Sequence, residues 1–322
     1  MNILVFVRKA SNFSINYIRG FFSGFIPKPA PSLSIETTNV CNSMCVFCAN
    51  PVMSRKKEQL SMDEYAKAVD DFFAMGGEYL DLCTTIGDPL LDKKILDRAK
   101  YIKQNYPHFT NLGFVSTLQW LHKYDMDKFL DSGFSWVSVS TTLTGKEKYE
   151  EFFGVKKYEQ AMQNLQDLLL AVRNKNKKFA VVIGIKPTGD SYDDIVNHED
   201  FARFKDIAQF DLYEAAKQVG YYVDDWSGFV KLPDYLKKRP LYPRYFRPCK
   251  MLYGSMIVYS NGKVGVCSCR DFNADSELIL GHITENTLDE LWNGEQLKNL
   301  RKNWRLKNQV PNICKTCRHY IY

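Results

Sequence analysis

The stretch Ser34–Cys48, with the sequence SIETTNVCNSMCVFC, places three cysteines on one short loop directly after a predicted β-strand. Cys41, Cys45 and Cys48 follow the pattern C-x-x-x-C-x-x-C. Such tight spacing suits metal ligation in a reducing compartment better than disulfide bridges, and the total of nine cysteines in the chain is odd. We therefore expect a cytoplasmic protein with a metal-binding loop.

The number of thiolates on this loop indicates what the metal does. Three thiolates on one loop hold three corners of an iron–sulfur cube and leave the fourth iron uncovered. A cube with an open iron is a reaction site, whereas a fully ligated cube only stores an electron. The alternative is a structural zinc site that a distant fourth ligand completes.

The composition limits the class of protein. A chain of 322 residues predicts about two domains, or one barrel-sized domain with an appendage. Hydrophobic residues at 45% and charged residues at 25% are ordinary for a globular protein. The net charge of +6 is well below the excess expected of a dedicated nucleic-acid binder, so we expect no nucleic acid as a partner.

Residues 2–26 are rich in apolar and aromatic side chains, interrupted by Arg8, Lys9 and Arg19. The interruptions leave runs too short for a membrane-spanning helix, which needs about 18–20 apolar residues, or for a signal peptide. Residues 1–32 are therefore predicted to form an N-terminal extension. An amphipathic helix packed on the main domain and peripheral contact with a membrane surface both remain open.

Strands and helices alternate regularly through the first two thirds of the chain. The strands predicted after the first one are Tyr79–Thr84, Leu112–Thr117, Trp136–Thr141, Phe179–Ile185 and Tyr221–Asp225. The predicted helices begin with the capping box Ser61–Glu64 and continue with residues 92–106, Met126–Ser132, Tyr158–Arg173 and Phe201–Gly220. About six β–α units predict a parallel sheet with outer helices, curled into a partial (β/α)6 TIM-like barrel.

The C-terminal part of the chain has a different character. Residues 231–250 are rich in proline and basic residues and mark a domain junction, so we expect domains at 33–230 and 231–322. A hairpin is predicted at Ser255–Cys267, around a turn with the sequence SNGK. The capping pattern Thr287–Glu290 opens a C-terminal helix.

The segment Glu36–Cys48 resembles the cluster loop of the radical S-adenosylmethionine (radical SAM) superfamily. That family has three cysteines at this spacing and an aromatic residue before the last, here Phe47. The resemblance implies a [4Fe–4S] cluster on Cys41, Cys45 and Cys48, whose open iron binds S-adenosylmethionine (SAM). It also implies reductive cleavage of SAM to a 5′-deoxyadenosyl radical, driven by a flavodoxin- or ferredoxin-type reductant.

A second segment, Thr84–Leu91, resembles the family's Gly-Gly-Glu-Pro segment, which hydrogen-bonds the methionine ammonium group of SAM. The chain departs from this pattern at Ile86, which replaces the first glycine, and at Asp88, which replaces glutamate. The resemblance therefore implies that Phe47, Gly87 and Asp88 are cofactor-binding residues. An ordinary strand-to-helix turn is the alternative at this position.

Two more features are expected near the mouth of the barrel. Ser138 and Ser140 alternate on one face of their predicted strand, and the resemblance implies a cofactor-binding polar residue on this strand, for which Ser140 is the candidate. A pair of satisfied interior hydroxyls is the alternative. Asp225–Gly228 resembles a segment of family members from polysaccharide gene clusters, and its carboxylate and indole suit either a polyhydroxy ring or a structural role.

The C-terminal cysteines resemble the shortened "twitch" form of the SPASM extension, which holds one auxiliary [4Fe–4S] cluster. The match falls on four cysteines: Cys249, Cys267, Cys314 and Cys317. A full SPASM domain needs about seven or more cysteines for its two clusters, so a second auxiliary cluster is not expected. A zinc site on the same four cysteines is the alternative.

Two cysteines are left over, Cys83 and Cys269. Either thiol is a candidate hydrogen-atom donor, as radical epimerases require. A buried or incidental cysteine is the alternative for both, and Cys269 is also a candidate to replace Cys267 as a ligand.

These features together predict a radical SAM oxidoreductase or epimerase for a sugar, aminocyclitol or glycan-pathway intermediate. Loss of a proton and of an electron to the auxiliary cluster gives dehydrogenation, whereas return of hydrogen by a thiol gives epimerisation. The alternative is maturation of a peptide or protein substrate. We expect it less, because the 32 residues before the first strand leave no room for a leader-binding domain.

Overall fold

The computed structural model describes residues 27–83, 85–217, 222–241, 249–268, 270–307 and 309–318. Most of the predicted N-terminal extension lies outside these ranges, and with it the expected amphipathic helix or membrane contact. Cys269 also lies outside the described residues. In the part of the chain that the structure describes, no helix has the length and apolar character needed to cross a membrane.

Five parallel strands form an open, partial barrel. They are β1 (Ser32–Ile35), β2 (Leu80–Asp81), β3 (Gly113–Ser116), β4 (Trp136–Thr141) and β5 (Ala180–Ile185). β1 pairs with β2, and β4 lies between β3 and β5. The Leu82 N–H donates to the Gly113 carbonyl at 3.0 Å and so joins β2 to β3. This architecture confirms the predicted α/β class and partial barrel.

Helices follow the strands along the chain. They are α1 (Met62–Ala74), α2 (Ile95–Asn105), α3 (Met126–Leu130), α4 (Lys146–Phe153), α5 (Tyr158–Asn174), α6 (Tyr192–Val196), α7 (Glu199–Lys205) and α8 (Leu212–Ala216). The predicted capping box opens α1: Ser61 Oγ accepts from the Glu64 N–H, and the Glu64 carboxylate accepts from the Ser61 N–H. The helices α1 and α5 bury apolar faces at the helical spacing that the sequence predicts.

Two predicted elements are wrong. The single helix predicted for Phe201–Gly220 is two short helices, because Asp211 caps a new start and accepts from the Tyr213 N–H at 2.9 Å. Residues 222–225 are not a sixth strand: Val223 forms only an isolated bridge to Lys238. The Asp224 carboxylate accepts from the Trp226 N–H two residues later, at 2.7 Å, and this local turn ends the extended backbone.

The C-terminal region continues the same sheet. Its elements are α9 (Met251–Gly254), β6 (Ser255–Val258), β7 (Lys263–Gly265), β8 (Ile279–His282), α10 (Leu288–Asn293), α11 (Glu295–Lys307) and α12 (Asn312–Lys315). β6 and β7 form the predicted antiparallel hairpin. β6 also pairs in parallel with β1, so the sheet order is β2-β1-β6-β7-β8. The domain boundary at residues 230 and 231 stays a prediction.

A buried carboxylate ties these regions together. Glu36 is fully buried and accepts two hydrogen bonds from the Arg55 guanidinium, at 2.7 and 3.1 Å. It also accepts from the Ile86 N–H at 3.3 Å, and from the N–H and hydroxyl of Ser260 at 3.2 and 2.9 Å. Glu36 therefore joins the end of β1 to the turn after β2 and to the hairpin turn after β6.

We predict that Glu36→Gln lowers the free energy of unfolding by about 3–5 kcal/mol, because it leaves Arg55 buried without a counter-charge. Urea unfolding under anaerobic conditions measures the change. Glu295→Gln is the matched control, because Glu295 forms an exposed ion pair with Lys298 and its loss should cost less than about 1 kcal/mol. Equal shifts for the two variants would contradict this role of Glu36.

Candidate functional site

The N-terminal cysteine loop is closed at its base by Asn39. The Asn39 side-chain amide donates to the Lys56 carbonyl at 2.7 Å, and its oxygen accepts from the Glu58 N–H at 2.7 Å. The Asn39 N–H donates to the Glu58 carbonyl at 3.2 Å. These bonds hold the two ends of the loop together independently of any metal.

The carboxyl end of α4 supports the middle of the loop. The N–H groups of Met44 and Val46 donate to the carbonyls of Phe153 and Phe152, each at 3.0 Å. These are carbonyls of the last turn of α4, which lack partners within the helix. Gly154 then turns the chain at a φ of +62°, and a Cβ there would lie 2.5 Å from the Met44 carbonyl oxygen. Only glycine permits this contact.

The three thiols are desolvated. Burial raises the pKa of Cys41 to about 11 and also raises the pKa values of Cys45 and Cys48 above the usual range. A bound metal reverses this preference, because it ligates the thiolate form. The Lys57 ammonium lies near Cys41 and Cys48 and supplies positive charge on that side.

The donor set of the loop fits an iron–sulfur cube with one open iron. It offers three sulfurs from one buried loop, held by bonds that need no metal. Within the described ranges, no three His, Cys, Asp or Glu side chains are grouped to hold a single metal ion. Cys41, Cys45 and Cys48 would hold the cube.

The turn at Gly87 packs directly on the loop. Gly87 has a φ of +126°, and a Cβ there would lie 2.4 Å from the Thr38 carbonyl oxygen, so a larger residue would push the turn away. The Asp88 N–H donates to the Val40 carbonyl at 3.0 Å. The Gly87–Asp88 turn and the residue before Cys41 are therefore in direct contact, as a shared cofactor site requires.

The Asp88 carboxylate is buried and already well bonded. It accepts from the Ser116 hydroxyl at 2.9 Å, from the Thr117 N–H and hydroxyl at 3.3 and 3.2 Å, and from the Leu90 N–H at 3.0 Å. Burial raises the pKa of this carboxyl. Asp88 thus fixes the turn to the end of β3, and its direct contact with the cofactor stays a prediction.

The concave face of the barrel is open. On β3, β4 and β5 the alternate residues that do not pack against helices are more exposed, and Val115 and Val182 reach 40% and 41%. Ser138 pairs with both of these valines, and Ser140 pairs with Gly184. The predicted shared face of Ser138 and Ser140 therefore borders a space that side chains do not fill, in contrast to a closed TIM barrel.

Polar side chains line this concave face. They are Ser34, Asp81, Cys83, Ser138, Ser140 and Lys186, here called the concave-face polar set. Asp81 pairs with Ser34 across β1 and β2, and burial raises the pKa of its carboxyl. The Lys186 ammonium lies over Gly184, and burial lowers its pKa. Among the described residues, no carboxylate forms an ion pair with Lys186.

Cys83 belongs to this set through Asp81. The Cys83 N–H donates to the Asp81 carboxylate at 3.0 Å, and its thiol also hydrogen-bonds the same side chain. Burial raises the pKa of the thiol, and the Asp81 carboxylate raises it further. Cys83 is thus held as S–H, the form that a hydrogen-atom donor needs.

The C-terminal cysteines line one cavity. It is lined by Cys249, Cys267, Cys314 and Cys317, together with Met251, Leu252, Val266, Leu278, Trp304 and Arg270. The structure therefore brings together the four cysteines that the resemblance selects. Four sulfurs in an apolar setting fit a fully ligated [4Fe–4S] cube.

Three members of the concave-face polar set, Ser34, Asp81 and Lys186, were not predicted from the sequence. Asp81 and Lys186 lie on the concave face because side chains alternate between the two faces of a strand. For Asp81, this alternation could have been recognised in the sequence. The place of Asp225–Gly228 at the substrate mouth stays a prediction, and the Trp226 indole Nε1–H donates to the Phe47 carbonyl at 2.7 Å. The Phe47 ring itself packs on Phe152 at 5.0 Å between ring centroids.

Comparison with known families agrees with this geometry. Residues 35–202 match the family model described as the radical SAM superfamily, and residues 249–318 match SPASM, described as an iron–sulfur cluster-binding domain. No curated protein matches the chain. These matches confirm the resemblance, and the two domain types imply SAM, a [4Fe–4S] cluster and auxiliary iron–sulfur chemistry.

Solved structures show the same fold at low identity. BtrN in complex with AdoMet and 2-DOIA is 16% identical, with 87% of this chain and 89% of that chain covered and a TM-score of 0.56. SuiB of Streptococcus suis bound to precursor peptide SuiA is 13% identical, with 100% and 77% covered and a TM-score of 0.61. The protein anSMEcpe with bound AdoMet and Cp18Cys peptide is 16% identical, with 89% and 86% covered and a TM-score of 0.52.

We predict about eight irons and about eight sulfides per chain after anaerobic reconstitution, because two cubes form. Replacing Cys314 and Cys317 by Ala should remove about half of both, since it leaves only the N-terminal cube. Cys83→Ala is the matched control and should keep the full content. Zinc without sulfide in the reconstituted protein would contradict the assignment of both sites.

Proposed function

The chain belongs to the radical SAM superfamily, and we propose that it abstracts a hydrogen atom from a sugar, aminocyclitol or glycan-pathway intermediate. The outcome is dehydrogenation or epimerisation at a carbon that bears a hydroxyl group. The observation that supports this substrate class is the concave-face polar set, which offers hydroxyls, a carboxyl, a thiol and an ammonium on one open surface.

The polar set favours a small hydroxylated substrate for an energetic reason. Polar groups that a bound ligand covers lose their water, and they need hydrogen-bond partners in return. A polyhydroxylated ring supplies donors and acceptors to Asp81, Lys186 and the serines at once. An apolar side chain of a peptide would leave these groups unpaired.

The chain's own residues have separate tasks in this reaction. Cys41, Cys45 and Cys48 would hold the cluster at which bound SAM would supply the radical that takes a hydrogen atom from the substrate carbon. The concave face would hold that carbon in place next to the radical, since a positioned substrate reacts before side reactions quench a carbon radical. One electron for each SAM cleavage would enter from a flavodoxin- or ferredoxin-type reductant, and the cysteine usage supports a reducing, cytoplasmic location.

Dehydrogenation removes a hydrogen atom, a proton and an electron from the substrate. The substrate carbon would lose its hydrogen atom to the 5′-deoxyadenosyl radical, the hydroxyl on that carbon would lose its proton, and the remaining electron would pass to the auxiliary cluster, so that a carbonyl forms. Asp81 is the candidate proton acceptor, because its carboxylate lies on the concave face. Cys249, Cys267, Cys314 and Cys317 would hold the electron acceptor.

For epimerisation, the abstracted hydrogen would leave with 5′-deoxyadenosine, and a different hydrogen atom would reach the carbon from the opposite face. The Cys83 S–H donates a hydrogen atom to the substrate carbon, and the sulfur radical left behind takes up one electron from the reductant and one proton from solvent. The hydrogen bonds from Cys83 to Asp81 favour the S–H form and support this role. Cys269 remains the second candidate donor.

Peptide maturation is the second candidate function. Of the similar structures, BtrN is in complex with 2-DOIA, whereas SuiB and anSMEcpe are bound to peptides. At these low identities the likeness supports the fold alone, so the two substrate classes must be separated by experiment.

We predict that sugars or aminocyclitols carrying deuterium at the reacting carbon transfer it to 5′-deoxyadenosine. The transfer follows from direct abstraction of hydrogen on the concave face, and mass spectrometry of the nucleoside measures it. Deuterium transfer from peptides only, with none from any hydroxylated ring compound, would overturn the proposed substrate class.

The two outcomes are separated by Cys83→Ala and Cys269→Ala. If the reaction is an epimerisation, loss of the donor thiol abolishes the product while 5′-deoxyadenosine still forms. Unchanged product in both variants identifies dehydrogenation. Cys45→Ala is the control, because loss of a cluster ligand should abolish 5′-deoxyadenosine formation as well.

A further inference from the structure

One short segment contacts both cysteine loops. Residues 224–228, here called the bridging segment, connect to the N-terminal loop through the Trp226 indole, which donates to the Phe47 carbonyl at 2.7 Å. On the other side the Thr316 hydroxyl donates to the Ser227 carbonyl at 2.6 Å. Phe47 lies directly before Cys48, and Thr316 lies directly before Cys317.

Ion pairs strengthen the C-terminal side of this connection. Asp224 pairs with Arg270 at 2.7 Å, and Asp225 pairs with Arg318 at 3.0 Å. The Arg270 guanidinium also lies 5.0 Å from the centre of the Trp226 ring and lines the cavity of the four cysteines. Partly buried ion pairs of this kind fix a geometry more than they add stability.

The backbone of the bridging segment is strained. Trp226 and Ser227 are consecutive non-glycine residues in the left-handed region, with φ values of +53° and +61°. Such conformations cost free energy and persist only where surrounding contacts enforce them. Here the enforcing contacts come from Asp225, which accepts from the Gly228 and Val230 N–H groups, and from the two cysteine loops.

We propose that Trp226 is a positioning residue that couples the auxiliary cysteine site to the SAM-binding loop. A shift of the Cys314–Cys317 loop moves Ser227 through Thr316, and the adjacent indole then moves the Phe47 carbonyl. SAM affinity at the N-terminal cluster therefore depends on the C-terminal loop. The inference rests on the cofactor chemistry of the superfamily and is independent of the proposed substrate class.

A double-mutant cycle of Trp226→Phe and Thr316→Val tests the coupling. The readouts are SAM affinity, by equilibrium dialysis of the reconstituted protein without substrate, and the SAM-induced change in the electron paramagnetic resonance (EPR) spectrum. Thr316→Val should weaken SAM binding by about fivefold to tenfold, the value of one hydrogen bond. In the Trp226→Phe background the same change should have an effect of less than about twofold.

Trp292→Phe provides the matched control background. Like Trp226, Trp292 donates its indole N–H to a backbone carbonyl, that of Lys28, at 2.9 Å. The Arg301 guanidinium lies 4.4 Å from the centre of the Trp292 ring. Lys28 precedes β1 and lies in neither cysteine loop. Thr316→Val should therefore weaken SAM binding equally in this background and in the parent protein.

Two results would overturn the proposal. One is unchanged SAM affinity in Thr316→Val protein of full iron content. The other is an equal loss of affinity in the parent and Trp226→Phe backgrounds. If Thr316→Val protein does not take up full iron, Asp225→Asn replaces it in the cycle, because it weakens the Arg318 pair and keeps the side chain's size. Because no substrate is present, a wrong substrate class cannot imitate either result.

Discussion

The ion pair between the fully buried Glu36 and the largely buried Arg55 side chain is the interaction on which the rest of the structure depends. The Glu36 carboxylate accepts hydrogen bonds from three distant parts of the chain: the segment after the cysteine loop, the turn at Ile86 and the hairpin turn at Ser260. Because a buried charge must be fully paired, these three segments have little freedom to move apart. The SAM-binding loop, the turn before Gly87 and the SPASM region therefore meet at one point.

The cysteine loop is held in place by contacts from several sides. The loop is closed by Asn39, supported by the carbonyls of the last turn of α4, and contacted by Gly87 and Gly154 at distances that only glycine allows. The thiols remain desolvated, and burial raises their pKa values. A cluster held by these three cysteines would therefore lie among a fixed set of protein neighbours.

Local signals made part of the structure predictable. The alternation in Trp136–Thr141 and the capping box at Ser61 predicted β4 and the start of α1 correctly, and cysteine spacing predicted the cluster loop. Non-local pairing was not predictable: β6 joins β1 across more than two hundred residues. The strand predicted at Tyr221–Asp225 does not form over the described residues 222–225, because the Asp224 carboxylate accepts a hydrogen bond from the Trp226 N–H and turns the backbone. The periodicity of apolar residues does not reveal this local hydrogen bond.

The most direct test of the account is the EPR spectrum of a reduced variant in which Cys314 and Cys317 are both replaced by Ala. Only the cluster on Cys41, Cys45 and Cys48 then contributes to the signal. The account predicts that added SAM shifts the g-values of this signal, because SAM binds the open iron. A spectrum unchanged at saturating SAM would contradict the claim that the three-cysteine loop holds the reactive cluster.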